Sequence, residues 1–264
     1  MNIFFHELKA NLKSLLIWSG IVVLFSAIGF SKFSAFYGNE DFLVVLQGVP
    51  PAVMDAMNFN AFNLTTVTGF FGIMHLYFSL ILAISAAMWG SDIITKEERD
   101  KTVEFSLALP VRRGKLVTAK LVAVAFNCIV ILLVTWGITL VNAQRYEPDA
   151  AFYEFVSLSM LSFLFLQGIF LAVGIFLGCV LKRHKRAGSL AVGILLTTYF
   201  LSILVGMEEK LDFLKYFTPF KYFDAGMLYR ETSLELTFVI LSVGLIAVLL
   251  MGAYWSYSRR DLYI

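Results

Sequence analysis

Charge is scarce in this chain of 264 residues. Asp, Glu, Lys and Arg make up 15% of it, where an ordinary soluble domain carries about 25%. Apolar residues reach 59%, Phe alone contributes 26, and the mean hydropathy is +0.80. That balance excludes a water-soluble domain and places the chain in the membrane class. Cysteine is nearly missing as well. Cys128 and Cys179 both lie inside apolar runs, so no disulfide framework is expected. No Asp, Glu, Lys or Arg lies deep within a long apolar run, which argues against a carrier that binds its coupling ion on an intramembrane charge. His6, His75 and His184 are set apart by topology and form no metal site together. Glu97-Glu98 has no His partner at the same depth, so intramembrane catalysis has no candidate pair. A G-x-x-x-x-G-K-[ST] phosphate loop is also lacking: Gly114-Lys115 is followed by Leu116 and has no upstream glycine. The chain is expected to be no enzyme and to carry no cofactor; if it moves something uphill, the energy must enter from another polypeptide, on which ATP and Mg would then be held. No cleavable signal peptide is expected, since Met1–Leu12 is charged throughout and no A-x-A-like site follows the first apolar run.

What is present is a set of long apolar runs. A spanning helix needs about 20 mainly apolar residues. Six segments qualify: Leu15–Phe36, Phe70–Gly90, Leu121–Val141, Phe155–Leu181, Ser189–Met207 and Leu236–Tyr257. Lys32 interrupts the first near its end, where its side chain can snorkel. The fourth is long enough to tilt, or to bend near Gly168 or Gly174. Six spans put both termini on one side. Fifteen Lys and Arg residues fall there, including Lys9, Lys13, the cluster Lys96 to Lys120, Lys182 to Arg186 and Arg259-Arg260. The other side holds only Lys32, Arg145, Lys210, Lys215, Lys221 and Arg230. Excess Lys and Arg mark the cytoplasmic side, so both termini are expected in the cytoplasm.

Shorter features decorate this frame. Phe5, Leu8 and Leu12 recur at helical spacing among His6, Glu7, Lys9 and Lys13, which predicts an interfacial helix over residues 1–13. The first outer loop carries short apolar runs around Pro50-Pro51, suited to helices on or in the outer leaflet. The stretch 208–235 is packed with aromatics around Thr218-Pro219, including Tyr216, Phe217, Phe220 and Tyr222. Pro219 divides it into two short helices, an outer hairpin, although an interfacial aromatic anchor fits the composition equally. Asn127, Gln167, Thr197 and Thr198 are candidates to line a pathway, while interhelical hydrogen bonding is the default role of such residues. His75 reads as packed or headgroup-contacting. Gly174-xxx-Gly178 and Gly168-xxx-Ala172 permit close helix approach without naming a partner.

The densest charge in the chain runs from Lys96 to Lys120, between the second and third spans. Residues 96–109 hold helix formers with no Gly or Pro until Pro110, and Arg112-Arg113-Gly114 is expected to turn the chain into a third span starting near Leu116. Val103 with Leu107, and Phe105 with Leu109, give this segment apolar faces among charges, suited to docking in a groove of a cytoplasmic partner. A plain basic loop would not need the acids Glu97, Glu98, Asp100 and Glu104.

Glu98-Arg99-Asp100-Lys101-Thr102-Val103-Glu104, then Leu107-Ala108-Leu109-Pro110-Val111, Arg113 and Lys120, resembles the intracellular segment of ABC-2 type transporter permeases. That family's segment reads roughly E-R-x-G-T-x-E, then L-x-x-P-[VI]-[ST]-R, then a Lys opening the third span. Here Lys101 stands where Gly is usual and Arg112 where Ser or Thr is usual. Tyr216 to Phe223 is similar to the family's aromatic S/T-P-F segment before the last span. The resemblance implies one all-α permease domain over residues 1–264, with a coupling helix within 94–114. It implies two permeases, identical or sister subunits, on two cytoplasmic ABC ATPases in a bacterial plasma membrane. Glu97, Glu98, Arg99, Thr102, Glu104, Pro110 and Arg113 would then contact or shape the ATPase interface. The expected function is ATP-driven export of an amphipathic or hydrophobic cargo (peptide, lipid or drug), with membrane lipid but no nucleic acid as a further partner. A membrane anchor or sensor without transport is the alternative.

Overall fold

Long runs of Leu, Ile, Val, Phe and Ala satisfy their own backbone hydrogen bonds only as helices where no water is at hand. A computed structural model describes residues 3–39, 48, 50, 54, 62–100, 112–181 and 184–259, and the described residues contain helices and turns but no strand. Six helices are long and apolar enough to cross a membrane. They are α1 (Ile3–Phe33), α2 (Val67–Arg99), α3 (Arg113–Ala143), α4 (Ala150–Val180), α5 (His184–Met207) and, after two short helices, α8 (Leu236–Arg259). A helix of 31 residues is about 46 Å long, well beyond a hydrocarbon layer of about 30 Å. The apolar runs leave out the first turns of α1 and α3 and the last turns of α2, while in α4 and α8 run and helix nearly coincide. Most of the run around Pro50-Pro51, and all of Lys101–Val111 and Lys182-Arg183, lie outside the described residues.

Two boundaries correct the sequence reading. Residues 3–13 form no separate interfacial helix but are the first turns of α1, which continues unbroken to Phe33. Its apolar stripe faces away from the protein, with Phe5 65% and Leu12 49% exposed, while Glu7, Asn11 and Leu15 face inward. The periodicity is real, but its polar face is the packed one. Arg113-Gly114 likewise make no turn: α3 begins at Arg113, with Arg112 as its N-cap.

The helices sort into a centre and a periphery. In α2 and α4, 61% of the most apolar window is buried, against 17% in α8 and 22% in α1 and α5. The central pair owes its closeness to glycine. A Cβ on Gly90 of α2 would lie 2.5 Å from the Leu171 carbonyl oxygen, and one on Gly174 of α4 would lie 2.4 Å from that of Ala87. Backbone meets backbone there, the arrangement small residues permit between membrane helices. The partner of Gly174 and Gly178 is thus α2, and Gly168 faces Ile246 of α8. α1 packs mainly on α3, α8 on α4, and α5 on both central helices. α4 runs on as one helix through Gly168 and Gly174.

The helix ends fall into two groups: a basic end, where α1, α3 and α5 start and α2 and α4 finish, and an aromatic end opposite. At the aromatic end, Thr66 caps α2 by accepting from Gly69 N–H, and Asp149 caps α4 by accepting from Phe152 N–H. Tyr146, after α3, donates to the Phe30 carbonyl at 2.8 Å and packs edge-on against Phe33, fixing α3 to α1.

Candidate functional site

The charges at the basic end are not a solvated fringe. Adjacent residues on a helix point about 100° apart, so Lys96 and Glu97 at the end of α2 can address two different neighbours. Lys96 pairs with Glu7 of α1, whose carboxylate is buried. Glu97 faces Lys120 of α3, with Oε1 2.8 Å from Nζ. Lys120 is wholly buried, and its contact with Glu97 is electrostatic rather than a well-angled hydrogen bond. Asn11 backs the first pair by donating to the Glu7 carbonyl at 2.9 Å. One turn of α2 thus holds both α1 and α3. Arg99 caps the arrangement from an exposed position, bonded to Asp92 within α2 and to Asp100 at 3.0 Å.

This turn lies immediately before the segment 101–111 and opposite the start of α3. Of the residues assigned to the coupling segment, Glu97 belongs to the network and Arg99 to its exposed flank. Glu98 and Arg113 stand at the facing ends of α2 and α3, and each has a partner of its own. Thr102, Glu104 and Pro110 lie outside the described residues. Glu7, Lys96 and Lys120 were not anticipated as a group. The available signal was the register of Glu7 and Asn11 with Leu15 and Val22, the inward face of α1.

At the aromatic end the chain between α5 and α8 is not the two-helix hairpin expected from Pro219. It comprises a 3-10 segment (Glu209–Phe217), a single turn α6 (Pro219–Tyr222) and α7 (Ala225–Glu231). The break at Thr218-Pro219 is where the sequence puts it, but its two sides behave differently. Phe213, Tyr216 and Phe217 are half or more exposed, as in an interfacial belt. Phe220, Tyr222 and Phe223 instead enter the bundle. Phe220 sits 5.3 Å from both Phe170 of α4 and Tyr199 of α5, and Phe223 stacks on Phe165 of α4. Tyr222 stacks on Phe238 of α8 at 5.1 Å and donates to the Tyr216 carbonyl, and burial pushes its phenol pKa up. Thr218 donates to the Thr198 carbonyl at 2.7 Å, tying the break to α5. Irregular backbone inside a bundle needs such cover.

Beneath this insert lies a cavity of about 30 Å³ lined by His75, Ser79, Ser162 and Asp224 among others. Ser162 donates to the Ser159 carbonyl, so it accepts from His75 Nε2–H at 3.3 Å, which puts a proton on Nε2. His75 is a packed residue, stacked near Phe155 and Phe163.

Asn127 and Gln167 are 1% exposed, enclosed by this chain's own helices. Asn127 Nδ2 and both amide atoms of Gln167 have no hydrogen-bond partner among the described residues. Thr197 is exposed and donates to the Gly193 carbonyl, and Thr198 donates to that of Leu195. Asn127 and Gln167 thus lie inside the bundle and Thr197 on its surface. No group of His, Cys, Asp and Glu among the described residues could hold a metal.

No curated protein matches the chain. A family model described as ABC-2 family transporter protein matches residues 1–262. With six apolar helices and that match over nearly its full length, the chain belongs to the ABC-2 transporter family, as a multi-pass membrane permease that is a transport component rather than a catalyst.

Proposed function

We propose that this permease is the membrane half of an ATP-driven exporter, working as a pair of permeases on two cytoplasmic ABC ATPases in a bacterial plasma membrane. Family membership implies association with an ABC ATPase. The observation that carries the reading is the double anchorage of the last turn of α2, through Glu7–Lys96 and Glu97–Lys120. A push delivered to the segment 101–111 enters α2 and α3 directly and α1 through a buried charge. Such a joint moves three helices together, which a lipid-resting loop would not require. Nucleotide-driven closure then does work only through contacts that differ between the inward and outward states. The apolar faces that α1, α5 and α8 leave exposed suit lipid and a second permease. A pathway at that junction would be apolar and fit an amphipathic or hydrophobic cargo, whether peptide, lipid or drug.

The test is co-expression with a candidate ABC ATPase from the same genome. Wild-type permease should carry the ATPase through purification and stimulate its ATP hydrolysis. Arg99→Glu combined with Glu104→Arg should lower co-purification about tenfold or more, as expected when two interface charges are reversed. Failure of the wild-type chain to retain the ATPase would favour the anchor or sensor instead.

A further inference from the structure

Between α1 and α5, over the last three turns of α2, lies a cleft of about 400 Å³. α1 and α5 flank it without packing closely on each other. α5 does approach the floor that α2 provides, where a Cβ on Gly188 would lie 3.5 Å from Ser91 Oγ. The cleft and its rim carry no net charge, because Asp92 and Asp100 offset Arg99 and Lys185. They carry charge of both signs, set on different helices.

The α2 side accepts hydrogen bonds. Ser91 and Thr95 spend their hydroxyl protons on carbonyls of α2 and keep oxygen lone pairs. Asp92 gives Oδ1 to Arg99, while its Oδ2 has no partner among the described residues. The α5 side donates. The Lys185 ammonium and the Ser189 hydroxyl stand one turn apart, both exposed, and neither has a partner among the described residues. Lys185 and Asp92 line one cleft without forming an ion pair with each other. A ligand that answers both walls must therefore bring a cation to α2 and an anion to α5. A group charged with one sign only leaves one wall unanswered. The three acceptors on α2 favour a primary ammonium, which donates three hydrogen bonds, over a quaternary one, which donates none.

Position narrows the class further. Trp18, Met88 and Trp89 line the end of the cleft nearer the middle of the helices. Trp89 is buried, and its indole N–H donates to Ser14 Oγ at 2.8 Å, which holds that wall. Charge toward the helix ends with indoles just inside is the grading of a headgroup region. We infer that this cleft binds the zwitterionic phosphoethanolamine headgroup of a glycerophospholipid. Its ammonium lies on Asp92 Oδ2, Ser91 and Thr95, its phosphate on Lys185 and Ser189, and the start of its acyl chains against Trp18 and Met88. The inference needs only that the helices span a membrane and stands whether or not the chain exports anything.

Native mass spectrometry of the full chain in detergent tests it, with phosphatidylethanolamine, phosphatidylcholine and phosphatidylglycerol as probes. Wild type should retain one phosphatidylethanolamine per chain about tenfold more tightly than either other lipid, the discrimination that a hydrogen bond to a charged group confers. Asp92→Asn and Lys185→Gln should each remove that preference, and Lys215→Ala at the aromatic end should leave it intact. Lys185→Gln, at an exposed position, decides the matter if Asp92→Asn melts early through its lost tie to Arg99. Retention of phosphatidylcholine or phosphatidylglycerol by wild type as tight as that of phosphatidylethanolamine overturns the site, as does an unchanged preference in Lys185→Gln. Displacement by water-soluble glycerophosphoethanolamine at the lipid's own concentration would also overturn it, because the occupant would then be a free zwitterion and not a membrane lipid.

Discussion

Lys120 is the most constrained side chain at the basic end, a fully buried ammonium whose described counterion is Glu97. Removing one partner of a buried pair leaves the other uncompensated, at a cost of about 3–5 kcal/mol. Lys120→Met should therefore lower the thermal midpoint in detergent markedly. Adding Glu97→Gln should restore most of the loss, and a double-mutant cycle reads the coupling. Equal effects with and without Glu97→Gln would show that the two charges do not interact. Gln167 presents the opposite case: a buried amide with neither atom partnered in the described bundle costs about 1–3 kcal/mol. Gln167→Leu should leave the midpoint unchanged or raise it. A fall would reveal a partner in the native membrane, and loss of transport at full stability would mark Gln167 as part of the pathway. Neither residue's environment was legible in the sequence. Glu7 read as part of an interfacial helix and Lys120 as the Lys that opens the third span, and neither reading paired them with α2, because hydropathy registers how apolar a stretch is, not which way one side chain within it points.

At the scale of elements, the six spans were legible and their ends were not. Apolar runs report where the side chains are apolar, whereas Ile3–Lys13, Ser91–Arg99 and Arg113–Lys120 continue the helices past them, because a backbone hydrogen-bonds as well under polar side chains as under apolar ones. Gly174 and Gly178 announced a close approach, and Gly90, which receives it, stands in an Ala86-xxx-Gly90 spacing of the same kind, but neither spacing names its partner. Gly174→Val should break the central pair, since its first added carbon meets the Ala87 carbonyl oxygen at 2.4 Å. Overpacking against backbone costs about 3 kcal/mol, enough to abolish a folded, monodisperse species on size exclusion. Gly137→Ala, with nothing within 4 Å, should behave as wild type. At the aromatic end, Pro219 gave the break but not the insertion of Phe220 between α4 and α5, which depends on partners some fifty and twenty residues away. Phe220→Ala should cost about 3 kcal/mol, while Phe217→Ala, 69% exposed, should cost almost nothing in the same melting assay.

For the molecule as a whole, the arrangement is a tight central pair, α2 and α4, with α1, α5 and α8 more loosely clad around it. The basic end joins α2 to α1 and α3 by charge, and the aromatic end is closed by an inserted loop. In the proposed exporter the first is where the ATPase acts. Binding and transmission are then separable, because the contact residues around Arg99 and Glu104 are distinct from the buried pair behind them. The most direct measurement is ATP hydrolysis by the co-purified complex in lipid nanodiscs, comparing wild type, Lys120→Met and the swapped pair Glu97→Lys with Lys120→Glu. The account expects Lys120→Met to keep the ATPase bound while losing permease-dependent stimulation, and the swapped pair to recover a substantial part of it. Stimulation by Lys120→Met equal to wild type, with the ATPase bound in both, would contradict the claim that this buried charge carries the coupling.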